Sequence, residues 1–220
     1  MSKSTVLTLD EFFPPRATCL MKLRLNSRVD PQREGALPRD EVKLVRDFQD
    51  GDDLAFVTLY NRYKRLIYVY CTKMLLNADA AKDCVQEVFL RAYERREQLN
   101  EPQRFSSWLY SIARNQCLSI YRSSKHNAAD EIDFDSISAP SGETPDALVE
   151  RQESFDLLNK SLAQLKIEYR EVLLLREFQN LSYREIAEVL GDTESAVKSR
   201  IFKARQRLFQ LLRPILRERG

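Results

Sequence analysis

The segment spanning residues 181–212 constrains the fold of this chain most, because its pattern predicts two helices joined by a tight turn. Apolar residues recur at steps of three and four on both sides of Gly191, which is typical of two amphipathic helices. Gly191 itself falls where a helix C-terminus needs a residue that tolerates a positive φ. The sequence therefore predicts a helix-turn-helix unit, whose second helix suits the major groove of DNA.

The second helix of this unit is strongly basic. Residues 195–220 contain eight Lys or Arg residues against one acidic residue, Glu218. We expect the polar face of the helix to contact duplex DNA through Ser195, Lys198, Ser199, Arg200, Phe202, Lys203 and Arg205. The alternative interpretation is an ordinary amphipathic terminal helix with a solvated basic face.

Charge is segregated along the chain, although the formal net charge of its 220 residues is only +2. Residues 127–153 carry eight acidic residues and one basic residue, immediately before the basic C-terminal part. Such segregation indicates a nucleic-acid-binding end preceded by an acidic connector. The connector is too polar to offset the entropy cost of its own ordering, so we expect a flexible linker.

Helical periodicity on both sides of the connector predicts an all-α fold of two small domains joined by the flexible acidic linker. The second domain ends in the helix-turn-helix, and no strand pattern is visible. We expect a flexible extension over residues 1–38, a four-helix domain over 39–125, the linker over 126–145 and the second domain over 146–214.

The cysteines and the single histidine favour neither catalysis nor metal binding. Cys19, Cys71, Cys84 and Cys117 lie at wide spacings without a CxxC pair, which argues against zinc and against a secreted disulfide framework. Three of them fall in apolar helical stripes, where a buried reduced thiol is the simpler interpretation and a redox switch the alternative. The histidine, His126, lies in the predicted linker, and no glycine-rich phosphate loop is visible. We therefore expect no enzyme, no cofactor and no small-molecule substrate.

No apolar run approaches the length that a membrane-spanning helix needs, and the N-terminus lacks a signal-peptide pattern. We therefore expect a cytoplasmic protein without direct membrane insertion.

A second informative segment, residues 105–122, combines aromatic and cationic side chains. Trp108 and Tyr110 lie near Arg114, Asn115 and Arg122. Single-stranded DNA offers unstacked bases to aromatic rings and phosphates to cations, so this combination suits single-strand binding. The alternative interpretation is that a single tryptophan on a helix belongs to the core.

The motifs DCVQEVFLRAY, WLYSIARNQCLSIYR, LSYREIAEVLG and VKSRIFKAR occur in this order, and together they resemble the extracytoplasmic-function sigma factors of bacterial RNA polymerase. The resemblance covers residues 40–212. It implies that the first domain binds the polymerase core, with its beta and beta-prime subunits, and melts the promoter minus-10 element. The second domain would read the minus-35 element as duplex, and an anti-sigma protein is implied as a further partner.

Residue roles follow from the same resemblance. The face that would meet the polymerase clamp helices consists of Asp83, Gln86 and Glu87. The residues that would follow the separated minus-10 strand are Trp108, Tyr110, Arg114, Asn115 and Arg122. The minus-35 contacts would come from the polar face of the last helix.

A conventional helix-turn-helix regulator, whose first domain senses a signal or dimerises, is the alternative class. It shares the C-terminal pattern but gives no reason for the polar face at residues 83–87 or the aromatic and cationic face at 108–115. Such a regulator binds duplex DNA without polymerase, whereas a sigma factor converts core polymerase to promoter-specific initiation.

Overall fold

A computed structural model describes residues 39–126 and 157–218, and every regular element in these two ranges is helical. The first unit (residues 39–126) contains α1 (Arg39–Gln49), α2 (Asp53–Leu75), α3 (Ala78–Glu94) and α4 (Phe105–His126), with short 3-10 turns at Arg96–Gln98 and Pro102–Arg104. The second unit (residues 157–218) contains α5 (157–163), α6 (Ile167–Leu173), a one-turn π-helix (Leu174–Phe178), α7 (Tyr183–Leu190) and α8 (Glu194–Glu218). The predicted all-α class of two helical domains is confirmed. The predicted extension over 1–38 and all but the first residue of the predicted linker over 126–145 lie outside the described residues.

Side-chain caps define where α2 and α3 begin. Asp52 accepts a hydrogen bond from the backbone N–H of Leu54 at 2.8 Å, and Asn77 accepts one from Ala80 at 2.8 Å. Each cap stabilises its helix by about 1 kcal/mol. Leu76 adopts a left-handed φ of 58°, which ends α2 directly before the Asn77 cap and turns the chain into α3.

The core of the first unit is rich in aromatic rings. Phe48 stacks on Phe56 with ring centroids 5.6 Å apart, and it meets the edge of Phe105 at 6.2 Å. Tyr63 packs against the same Phe105 ring at 5.3 Å. These contacts join α1, α2 and the start of α4, so they fix the orientation of α4, the helix that carries the aromatic and cationic segment.

The helix-turn-helix of the second unit forms as the sequence predicted. Ser182 and Glu185 make a capping box, in which each side chain accepts a hydrogen bond from the other's backbone N–H at 3.2 and 2.8 Å. Gly191 ends α7 with a φ of 67°, a conformation that favours glycine. Ile186 on α7 and Val197 on α8 are both fully buried, which places the two helices face to face.

The two units pack against each other through α4 with α7, and through α2 with α6 and the π-helix. The guanidinium of Arg170 is buried and donates to the backbone oxygen of Leu162 within its own unit at 2.9 Å and to that of Met74 in the first unit at 3.0 Å. Lys73 donates to Asn159 at 2.6 Å across the same boundary. Because these groups are buried, their geometry holds the units in one relative orientation. Within residues 39–126 and 157–218, no helix has both the length and the apolar character to cross a membrane.

Candidate nucleic-acid and partner interfaces

One face of α8 is exposed and polar, as the sequence predicted. The predicted minus-35 residues that lie exposed on this face are Ser195, Lys198, Ser199, Phe202 and Lys203. Phe202 is 42% exposed, which is unusual for a phenylalanine. An exposed ring beside two lysines suits contact with a thymine methyl group and the neighbouring phosphates.

Arg200 lies at the edge of this face and is held by an ion pair. Its Nη2 stands 2.7 Å from Oδ2 of Asp192, with both side chains a little under one third exposed. Asp192 belongs to the turn between the two helices of the motif. The pair therefore aligns the guanidinium at the N-terminal end of α8, the end that contacts base edges in this class of motif.

Arg205 does not lie on the exposed face, so its predicted placement is wrong. Only 7% of the residue is exposed, and both its Nε and Nη2 donate to Oε1 of Glu177, at 3.0 and 2.6 Å. The pair fastens α8 to the π-helix inside the second unit. Arg205 lies four residues after Ile201 and three before Leu208, both of which are buried, so helical spacing already placed it at the apolar stripe.

The α4 segment is less open than the sequence predicted. Asn115 and Arg122 are exposed and Trp108 is half-buried against Phe105. Tyr110, in contrast, is 2% exposed, and its hydroxyl is hydrogen-bonded to Gln179 of the second unit at 2.5 Å. The exposed placement predicted for Tyr110 is therefore corrected: its ring lies in the core, edge-on to a neighbouring tyrosine ring.

Carboxylates of the second unit occupy the cationic positions of α4 and of the turn before it. Arg114 pairs with Glu171, which is 3% exposed. Arg104 pairs with Glu188 at 3.0 Å, and Ser107 is hydrogen-bonded to the same carboxylate at 3.1 Å. Burial raises the pKa of Glu171, while the charge of Arg114 acts in the opposite direction. In this arrangement, carboxylates of the second unit occupy both Arg104 and Arg114.

The polar face of α3 is largely open. Asp83 and Gln86 are exposed, whereas Glu87 is partly exposed and accepts from Arg91 at 2.7 Å. This face is therefore available to a partner, although one of its two carboxylates already has a cation beside it.

An apolar cleft next to this face was missed by the sequence reasoning. It lies between α2 and α3 and is lined by Asp53, Phe56, Val57, Tyr60, Gln86, Phe89, Leu90 and Tyr93. Leu90 is 53% exposed and Val57 50%, at the rim of the cleft. The available signal was spacing, because Leu90 follows Gln86 by four residues and so shares its helix face. Exposed apolar side chains grouped in this way are typical of a protein interface.

Comparison with known proteins finds a matching family for each of the two units. Residues 59–127 match the Sigma-70 region 2 family, and residues 155–208 match Sigma-70, region 4. The chain is 30% identical over 181 residues to the ECF RNA polymerase sigma factor SigW of Bacillus subtilis, covering 79% of this chain and 97% of that protein. It is 33% identical over 186 residues to the RNA polymerase sigma-H factor of Pseudomonas aeruginosa, covering 81% and 96% respectively.

Two solved structures share the fold. One is CnrH in complex with the cytosolic domain of CnrY, with a TM-score of 0.60, 24% identity, and coverage of 79% of this chain and 97% of that chain. The other is the sigma factor RpoE in complex with the anti-sigma factor NepR from Bartonella quintana, with a TM-score of 0.60, 21% identity, and coverage of 72% and 96%.

A helical region 2 unit and a region 4 helix-turn-helix unit in one chain define a sigma factor of the sigma-70 type. The chain belongs to the extracytoplasmic-function (ECF) sigma factors, and it directs promoter-specific transcription initiation by RNA polymerase. The predicted family and function are confirmed.

Proposed function

We propose that the first unit binds core polymerase through a surface that combines the polar face of α3 with the neighbouring apolar cleft. This core-binding surface consists of Asp83, Gln86, Glu87, Leu90 and Val57. Apolar side chains at its centre supply affinity, while the carboxylates at its margin steer and orient a basic partner helix. The exposure of Leu90 carries the proposal, because an apolar side chain that stays open to solvent in a folded unit is typical of an interface with a partner protein.

The second part of the proposal concerns DNA. α8 reads the minus-35 element in the major groove through the exposed polar face, and α4 holds the separated minus-10 strand through Trp108, Asn115, Arg114 and Arg122. Asn115 and Arg122 are accessible at once, which supports first contact through them. Arg114 becomes available to phosphate when the second unit leaves α4 and its pair with Glu171 breaks.

The arrangement described above is therefore the closed form of the factor, and the transcribing form is open. RpoE, which shares the fold, was solved in complex with the anti-sigma factor NepR. We propose that an anti-sigma protein acts on this chain too, and that it covers the core-binding surface.

The test compares two leucines that are similarly exposed. Leu90→Ser removes an apolar anchor from the cleft, whereas Leu66→Ser alters a 43% exposed leucine on α2 that does not line it. Full burial of an exposed leucine side chain contributes about 1.5–3 kcal/mol, and about half of Leu90 is exposed in the free chain, so Leu90→Ser is expected to weaken core binding by about 4- to 15-fold. Both changes shift the free energy of unfolding by less than about 0.5 kcal/mol, because both positions are exposed.

The measurement is the affinity of the full chain for core polymerase, followed by run-off transcription from genomic fragments. Charge reversal at Asp83 is expected to abolish holoenzyme formation without altering helicity or minus-35 binding. Equal core affinities for the Leu90 and Leu66 variants would show that the interface with core polymerase does not include the cleft.

A further inference from the structure

Three cysteines from three different helices meet in the core of the first unit. Cys71 lies on α2, Cys84 on α3 and Cys117 on α4, and all three are fully buried. Their Sγ atoms all lie within 4.8 Å of one another, and those of Cys84 and Cys117 are 3.7 Å apart. The fold thus assembles a cluster, the thiol trio, whose members are widely spaced in the sequence.

The spacing of the trio matches that of ligands around a shared ion. Bonds of about 2.3 Å from three sulfur atoms to one centre place the sulfur atoms about 3.8–4.0 Å apart in a tetrahedral or planar arrangement, and somewhat closer together in the pyramidal arrangement that an ion with a lone pair adopts. Cys84 and Cys117 already stand near the required separation, and the remaining sulfur pairs lie within 4.8 Å, so side-chain adjustments that draw the three sulfurs together would let them share one ion. A disulfide would bring two sulfurs to about 2.05 Å and leave the third thiol unused.

The surroundings of the trio select the charge of the ion. Four residues one helical turn from the cysteines are apolar and fully buried, namely Ile67, Ala81, Val88 and Ala113. The charged residues at the same spacing, Glu87 and Arg114, are less buried and already paired with opposite charges. In such a core an uncompensated charge is costly. Three thiolates keep a net charge of −2 around a monovalent ion and −1 around a divalent ion, whereas a trivalent ion neutralises them. Zinc is further disfavoured because it takes four ligands, and no His, Asp or Glu among the described residues completes this group.

We propose that Cys71, Cys84 and Cys117 form a three-sulfur site for one trivalent thiophilic ion, with arsenic in its +3 state as the fitting member. The reaction exchanges ligands without electron transfer. Arsenous acid, As(OH)₃, loses three hydroxyl groups, each thiol loses its proton, three As–S bonds form, and three water molecules leave. Arsenous acid is uncharged in neutral water, so it enters an apolar core during local opening more readily than a cation does.

Two features of the site prepare it for this exchange. The Sγ atoms of Cys84 and Cys117 already lie within hydrogen-bonding distance at 3.7 Å, so two of the three ligands stand side by side before an ion arrives. Tyr70 precedes Cys71 on α2, and its hydroxyl is buried without a hydrogen-bond partner among the residues that the structure describes. A thiolate sulfur would give this unpartnered hydroxyl an acceptor.

The experiment titrates the reduced full chain with arsenite. Native mass spectrometry is expected to show one arsenic per chain with the loss of three protons, and X-ray absorption is expected to show three As–S bonds. Binding to the folded state alone raises the melting temperature with arsenite concentration. Cys19→Ala is the matched control, because it removes the fourth cysteine of the chain, outside the described residues, and leaves the trio intact.

Alanine at any one trio position is expected to weaken arsenite binding by more than the about 100-fold that changes outside the ligand shell cause. Circular dichroism first establishes that each variant is folded. If a variant does not fold, the absorption spectrum of the wild-type complex still decides the number of sulfur ligands. Parallel titrations with buffered monovalent copper and with zinc test the charge argument.

Several results would overturn the proposal. These are the absence of one-to-one arsenite binding, fewer than three sulfur ligands, unchanged affinity in folded trio variants, and a requirement for Cys19. Binding of copper or zinc but not arsenite would refute the assignment of a trivalent ion. None of these readouts involves polymerase, so they are independent of the proposed promoter and core contacts.

Discussion

The contact between Glu171 and Arg114 offers a direct test of the closed form. Glu171→Gln removes the buried carboxylate that holds the cation of α4, and it keeps the side-chain volume. Removing one partner of a buried ion pair costs about 3–5 kcal/mol. Because the Arg114 side chain is 22% exposed and glutamine still accepts a hydrogen bond, we expect about 2 kcal/mol here. This corresponds to a roughly 30-fold fall in the ratio of closed to open molecules.

The assay measures both the opening and its consequence for DNA binding. The distance between labels on exposed residues of the two units, such as Arg65 and Lys203, reports the closed fraction. The apparent affinity for a single-stranded minus-10 oligonucleotide is proportional to the fraction of molecules in the open, binding-competent form. If the closed form dominates in the wild type, Glu171→Gln tightens this binding by up to about 30-fold.

Glu168→Gln serves as the matched control. Glu168 is exposed on the same helix, so its substitution removes the same charge without altering the boundary between the units. Any general gain in attraction between the protein and DNA therefore occurs in both variants. If the two variants bind the oligonucleotide equally, or if Glu171→Gln leaves the label distance unchanged, then the carboxylate does not hold the units together and the reasoning is refuted.

Three further outcomes are expected. Arg200→Ala lowers the binding free energy for cognate minus-35 duplex by about 1–3 kcal/mol and relaxes discrimination at one or two base pairs, whereas Lys198→Ala weakens binding to cognate and scrambled duplexes alike. Fluorescence anisotropy measures both affinities. An equal loss on cognate and scrambled duplex for Arg200→Ala would contradict its assignment. Asn115→Ala slows open-complex formation on duplex promoters and leaves core binding intact, as permanganate footprinting can measure. Opening at the wild-type rate would show that Asn115 does not hold an unpaired base. Arg205→Ala leaves the carboxylate of Glu177 buried without its cation and destabilises the second unit by about 3–5 kcal/mol in urea denaturation, and an unchanged midpoint would show that the pair is dispensable.

Helix periodicity predicted the buried stripes well but not every polar position next to them. Tyr110 precedes Ala113 by three residues and Cys117 by seven, so it shares their face, and all three are buried. The prediction grouped Tyr110 with Trp108 and the nearby cations by side-chain type, although its helical register indicated burial. Arg205 was misplaced because it was grouped with the other basic residues of its helix despite its spacing from Ile201 and Leu208, and its buried partner Glu177 lies on another element.

The sequence by itself determined the helices, their caps and the helix-turn-helix, because these depend on residues within one or two turns of each other. Gly191 and the pair of Ser182 and Glu185 act over such distances. Four sequence motifs in the expected order were also enough to recognise the family, since each motif is a pattern within a short stretch of sequence.

Only the tertiary structure decided which polar groups are covered and which are open. The pairing of Arg114 with Glu171 joins residues 57 positions apart, and the contact between Cys84 and Cys117 joins residues 33 apart. Such contacts depend on the angles at which whole helices pack, and no short stretch of sequence specifies those angles. The closed form, the thiol trio and the apolar cleft on α2 and α3 were therefore visible only once the helices had been assembled.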